Sequence, residues 1–249
     1  MRPASNLLLA LTGALCLLPT ALRTQAPPAP VPFGIGEELV YRASSTRFGK
    51  LGTGVMSVAG PEEVRGSRTY LLRFDFRGKV GPAVVNDRTR SWLDPERMAS
   101  LRYTKTERTP VTRRDEDVTM DPAARRWESA RGGHGAMASA QPLDELSFLF
   151  FVRTLPLADG ATYDLARHFD ARRNPVRLRV VRRARVTVPA GSFDVVEVEM
   201  RVKDPGRFGG EGVIRMHLTD DARRIPVRID SSMPFVGGVV LSLESHTPG

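Results

Sequence analysis

Polar and apolar positions alternate with period two over most of this chain. In "TYLLRFDF", Tyr70, Leu72, Phe74 and Phe76 share one face, while Thr69, Arg73 and Asp75 share the other. Such alternation marks a half-buried strand, because successive side chains leave a strand on opposite sides. Similar runs recur at residues 39–43, 55–59, 88–93, 100–104, 213–218, 225–229 and 239–243. Gly, Pro, Asn and Asp clusters separate them at short intervals, as antiparallel meanders require. The pattern predicts a mainly β protein, with curved antiparallel sheets whose two halves form an open barrel or sandwich.

The clearest hairpin is "RVVRRARVTVPAGSFDVVEVEMRV", residues 179–202. A five-residue loop from Pro189 to Phe193 would place Ala184, Val186 and Val188 on one face with Val196, Val198, Met200 and Val202. It would also set Arg185 opposite Glu197 and Arg183 opposite Glu199. Arg182 falls on the apolar side, and a bulge or a sheet edge is the expected reason.

One stretch breaks the period. "LDELSFLFFVRTLPL" (residues 143–157) carries Leu146, Leu149, Phe150 and Arg153 at i, i+3, i+4 and i+7, with Phe148, Phe151 and Val152 broadening the apolar surface. Pro142 suits a first helical turn, and Asp144 and Glu145 suit the positive end of the helix dipole. Pro156 and Gly160 end the pattern. One main helix at about residues 142–155 is therefore expected, lying across the concave face of the sheet. It is too short to span a bilayer.

The N-terminus changes the picture from fold to compartment. After Arg2, "LLLALTGALCLLPTAL" (residues 7–22) and "TQA" (residues 24–26) read as a secretory signal, residues 1–26. Pro27 after that cut hinders cleavage, so cleavage after Ala21 is the alternative. The one cysteine, Cys16, follows the bulky Leu15, which argues against lipidation. Without the signal the chain has no thiol, hence no disulfide and no cysteine metal site. A periplasmic or secreted location is expected. A proline-rich lead-in (residues 27–36) precedes a β-rich domain over residues 37–245.

Two half-units, residues 37–128 and 158–245, echo each other. "RSWLDPERMASLRY" and "RMHLTDDARRIPVRI" align Leu93 with Leu218, and Leu101-Arg102 with Val227-Arg228. Chance similarity in such short strings is the alternative reading. A small, glycine-rich stretch, "SARGGHGAMASAQ" (residues 129–141), joins the first half to the helix and is expected to be a mobile loop.

Charge and candidate chemistry add little. The net charge of +9 is almost all arginine, with lysine only at Lys50, Lys79, Lys105 and Lys203. An anionic membrane surface suits such a chain, although a GC-rich genome yields the same bias without function. Nucleic acid is not expected as a partner, because glutamates face the densest arginine run. His134, His168, His217 and His246 form no zinc-binding spacing. His168 with Asp170 reads as surface polarity. "RFGGEG" (residues 207–212) reads as a turn, and the acidic "DPER" and "TDDARR" as turns with local salt bridges. No catalytic residue, metal ligand or cofactor is assigned.

Four phrases taken together, "GEELVYRASSTRFGKLGTGVMSV", "PLDELSFLFFVRTLPLADGATYDL", "VTVPAGSFDVVEVEM" and "HLTDDARRIPVRI", resemble a bacterial exported family, the domain of unknown function 3108. The resemblance spans about residues 33–245. It implies an exported, mostly antiparallel β protein and supplies no catalytic residues. A weaker, fold-level similarity links it to periplasmic lipoprotein carriers.

These observations lead to a non-enzymatic cell-envelope protein with an apolar groove for a lipid or other hydrophobic ligand. Tyr70, Leu72, Phe74 and Phe76 of the sheet, and Phe148, Leu149, Phe151 and Val152 of the helix, are the candidate lining. The same residues forming a filled core is the competing expectation. An envelope assembly protein without a small ligand is the alternative, and a hydrolase the third.

Overall fold

A computed structural model describes residues 31–108, 113–204, 210–233 and 237–249. The signal segment, most of the proline-rich lead-in and residues 207–209 of the glycine turn lie outside the described residues. Among the described residues fourteen strands make one antiparallel sheet. In chain order they are β1 (Glu38–Ser45), β2 (Gly49–Val64), β3 (Ser67–Val80), β4 (Ala83–Asp94), β5 (Ala99–Arg108), β6 (Arg113–Asp121), β7 (Arg126–Ser129), β8 (His134–Ala136), β9 (Thr162–Leu165), β10 (Val176–Val188), β11 (Gly191–Asp204), β12 (Gly210–Thr219), β13 (Pro226–Met233) and β14 (Gly237–Thr247). Among the described residues the one α-helix, α1 (Glu145–Val152), sits between β8 and β9.

The spatial order is β8-β7-β6-β5-β4-β3-β2-β1-β14-β13-β12-β11-β10-β9. Two meanders thus meet where β1 pairs with β14, Ala43 lying opposite Leu241. The sheet does not close, and β8 and β9 are its edges. This is the curved antiparallel sheet with one helix that the alternation predicts. At Gly52 and Gly78, which pair across β2 and β3, backbone approaches backbone closely. A Cβ at Gly52 would lie 2.1 Å from the Arg77 carbonyl oxygen, and one at Gly78 would lie 2.3 Å from that of Leu51. Only glycine permits so close a backbone approach.

The β10–β11 hairpin corrects the expected loop. Its turn has two residues, with Val188 opposite Gly191, and Arg185 faces Asp194 instead of Glu197. Likewise Arg183 faces Val196, and Glu199 faces Arg179. The reason is a bulge between Val180 and Arg182. Its extra residue shifts the phase of β10 by one, so that Val180 meets Val198 and Leu178 meets Met200. Arg182 then turns to Glu197, 2.9 Å away, which accounts for its misfit in the apolar pattern.

The two acidic turns share one construction. In each, a bulge immediately precedes the turn, between Trp92 and Leu93 and between His217 and Leu218. Asp94 accepts backbone N–H groups of Glu96 and Arg97, and Asp221 accepts those of Arg223 and Arg224. A left-handed residue follows each, Met98 at φ 50° and Arg224 at φ 48°. The carboxylates thus build turns.

The glycine-rich stretch after β7 is not a featureless loop. It contains the edge strand β8, and Met137 beyond it is buried. Glycine serves packing there: a Cβ at Gly135 would lie 2.8 Å from the Trp127 Nε1.

The regular helix is shorter than the apolar pattern, because Asp144 caps it. The Asp144 carboxylate accepts the N–H groups of Leu146 and Ser147, and the Ser147 hydroxyl accepts the Asp144 N–H in return. Ser91 of β4 donates to the same carboxylate at 2.6 Å, and Ser100 of β5 donates to the Ser147 hydroxyl at 2.8 Å. Burial pushes the Asp144 carboxyl up against these hydrogen bonds. Leu146, Phe148, Phe150, Phe151 and Val152 are all buried. A helix apolar all round must lie inside, and this one fills the curl of the sheet. The main core forms between them, and Tyr103, Val118, Met120, Met137 and Phe169 make a smaller one in the β5–β8 arm.

Candidate ligand cavity

The curl is not filled throughout. Between α1 and the concave face lies a cavity of about 210 Å³. Its apolar walls come from both meanders: Met56 and Phe74 on β2 and β3, Met200 and Val202 on β11, and Ile214, Ile229 and Leu241 on β12, β13 and β14. Leu146, Phe148 and Leu149 close it from the helix. Gly54 leaves room for Phe74, since a Cβ there would sit 3.1 Å from that ring and 3.7 Å from Leu241.

Part of the lining is polar, from Thr89, Lys105, Glu145, His168, Arg173, Lys203 and Ser231, and ion pairs join Lys105, Glu145 and Arg173. Glu145 sits in the first helical turn and organises its neighbours. It accepts from the Tyr103 hydroxyl, from Lys105 Nζ at 3.2 Å and from an Arg173 guanidinium nitrogen at 2.6 Å. Burial, helped by the Glu145 charge, pushes the Tyr103 phenol up. Nearby Glu116 pairs with Arg114 at 2.5 Å, and burial followed by repulsion from Glu145 raises its carboxyl. Lys203 reaches the Asn174 carbonyl at 3.1 Å.

His168 overturns its reading as surface polarity. It is buried, and its ring stacks between Phe148 and Phe169 at centroid distances of 6.4 and 4.7 Å. Its Nδ1 accepts the Asp170 N–H at 3.0 Å. Its Nε2 is buried and has no hydrogen-bond partner among the described residues. Burial, reinforced by the Arg173 charge, lowers its pKa to about 4. The ring is therefore neutral at neutral pH, and with Nδ1 accepting, the proton resides on Nε2.

Of the residues expected to line a groove, the structure brings Phe74, Phe148 and Leu149 together at the cavity. The others lie elsewhere. Leu72 and Val152 are fully buried in the core, and Tyr70 packs edge-on against Phe33 at 6.5 Å. Phe151 is buried beneath the Arg167 guanidinium, 4.3 Å from its ring centroid. Phe76 is half-buried beside Gly78. Period two placed the four sheet residues on the correct face, but the cavity opens at one level only. The contributions of β11–β14 were visible as apolar faces without any indication that they oppose β2 and β3. No local signal marks His168 or Arg173.

Among the described residues no group of three or more His, Cys, Asp or Glu is placed to hold a metal. His217 bonds Asp230 at 3.0 Å, which with Arg228 lowers that carboxyl to about 2, despite opposing burial. The outer-face arginines are drawn into similar pairs, such as Arg42 with Glu244 and Arg102 with Asp117.

The arrangement of strands invites comparison with known proteins. A family model described as a protein of unknown function, DUF3108, matches residues 40–244. The chain belongs to the DUF3108 family. This DUF3108 chain is similar to a solved β-barrel-like protein of the DUF1849 family from Brucella abortus, with TM-score 0.58 and 12% identity over 87% of this chain and 99% of that one. That likeness concerns the fold. A protein of Bacteroides fragilis with a YmcC-like fold matches with TM-score 0.37 and 12% identity, over 87% of this chain and 98% of that one. No curated protein matches the DUF3108 chain.

Proposed function

We propose that this protein is a non-enzymatic component of the bacterial cell envelope that binds a lipid or other hydrophobic ligand between its curved sheet and α1. Export rests on the N-terminal signal pattern, residues 1–26. Binding rests on one observation: the concave face keeps a cavity of about 210 Å³ with apolar walls from seven side chains of six strands. Close-packed interiors rarely leave such space, and concave, mostly apolar clefts with a few polar groups are where small ligands bind.

Native mass spectrometry of the protein purified from an envelope fraction, with lipid analysis of its organic extract, tests this reading. A reproducible bound lipid is expected, and its loss in Gly54→Val, which pushes Phe74 and Leu241 into the cavity. Leu149→Trp fills the same space from the helix and serves if the first variant does not fold. A protein that emerges empty and takes up no added lipid would sink the proposal. Attention would then turn to protein partners.

A further inference from the structure

We infer that the ligand is an amphiphile with an anionic head, the head lying among Lys105, His168, Arg173 and Lys203. This rests on the ligand-binding reading above and specifies what the site selects.

Size comes first. The space of about 210 Å³ far exceeds the roughly 10–15 Å³ that a single water needs, and its walls are apolar, so it suits a hydrocarbon chain.

Charge comes second. Three cations stand in the polar lining against one carboxylate, Glu145, which Lys105 and Arg173 already share. The balance is positive, so an anionic head is attracted and a cationic one repelled. Glu116, the next carboxylate beyond the lining, is itself paired with Arg114.

The third argument is a buried donor without an acceptor. His168 lines the cavity with 5% of its surface exposed, and its Nε2 has no partner among the described residues. Because Nδ1 accepts from Asp170, the Nε2 carries the proton. Buried donors are nearly always satisfied, and an orphan calls for an explanation. A carboxylate or phosphate oxygen supplies the missing acceptor, which neither the apolar walls nor an ammonium can do. His168 itself stays neutral, held so by burial, and contributes a directed hydrogen bond while the lysines and Arg173 contribute charge.

Calorimetric titration of the intact folded protein with four eight-carbon probes tests the inference: octanoate, octyl phosphate, octanol and octylammonium. At least one of the two anions is expected to bind tenfold or more tightly than octanol, with octylammonium the weakest. The tighter anion identifies the head as carboxylate or phosphate. The preference over octanol should shrink severalfold in His168→Phe, which keeps an aromatic ring between Phe148 and Phe169, and in Lys203→Met at the rim. Equal binding of anions and octanol would overturn the head-group assignment while leaving the cavity reading intact. So would an anion preference unchanged in both variants. Failure of all four probes to bind would overturn both.

Discussion

The two ends of α1 solve opposite problems. At its C-terminal end a buried ion pair dominates, with a separate pocket beside Arg153, Thr154 and Leu155. Arg153, the C-cap residue, makes a two-pronged ion pair with Glu37 at 2.7 and 2.8 Å, and donates further to the Pro32 and Arg223 carbonyls. Both side chains are buried, at 1% and 5% exposure, and Phe33 and Phe150 lie against the guanidinium. That cluster ties the helix to the start of β1 and to the β12–β13 turn. At the N-terminal end the Glu145 cluster borders empty space, and the His168 Nε2 has no partner among the described residues. A buried ion pair reinforced by two carbonyl bonds locks elements together, even though the Arg153 Nε has no hydrogen-bond partner among the described residues. A buried donor left open beside a cavity invites a ligand. The same eight-residue helix is thus anchored at one end and available at the other.

This contrast breaks if the anchored end proves expendable. Arg153→Met leaves the Glu37 carboxylate buried without its counterion, and should cost about 3–5 kcal/mol of stability. Denaturant titration should show the midpoint falling with an unchanged slope. A loss under about 1 kcal/mol would mean the pair is decoration.

A smaller effect sharpens the other end. The folded pKa of His168 is about 4, against an ordinary value of 6.5. Since burial favours the neutral form, the unfolded chain binds the proton more readily. The contribution is full above about pH 6.5 and is lost as pH falls towards 4, amounting to roughly 3 kcal/mol. Asp144, whose carboxyl is raised by burial, works in the opposite sense, since its protonation favours the folded state. Stability measured from pH 7 to 4 should therefore lose part of its slope in His168→Phe while keeping the remainder. Identical slopes in both proteins would show that His168 titrates normally.

The smallest effect belongs to neither end. Arg185 and Asp194 form a cross-strand pair at 3.0 Å with 66% and 74% of their side chains exposed. Arg185→Ala should cost at most about 1 kcal/mol, by the same denaturant titration. A larger loss would mean that outer-face pairs, and not the buried Arg153 cluster, hold the sheet.

Legibility followed the range of the interaction. The face of β3 was readable from Tyr70 to Phe76 because its cause is local, and the helix from Leu146 to Val152 for the same reason. Asp144 looked like a partner of the helix dipole and turned out to be a buried cap bonded to Ser91, 53 residues away. The β10–β11 loop was misjudged because one bulge at Val181 undoes the parity on which register inference depends. Arg153 fitted an amphipathic stripe, and nothing near it named Glu37, 116 residues distant.

The amino-acid sequence alone therefore determined ten of the strands, the helix and the mainly β class, since each follows from periodicity and turn chemistry within a few residues; the short or charged strands β6 to β9 carry no such alternation. Only the tertiary structure decided which apolar faces fill and which leave space. That depends on β1 pairing with β14, which curls two meanders over one helix. The pairing brings Met56 and Phe74 opposite Met200, Ile214 and Leu241, with His168 in the polar part of the lining. A cavity belongs to no single segment, because its volume is set by surfaces that approach one another only after the chain has closed around them.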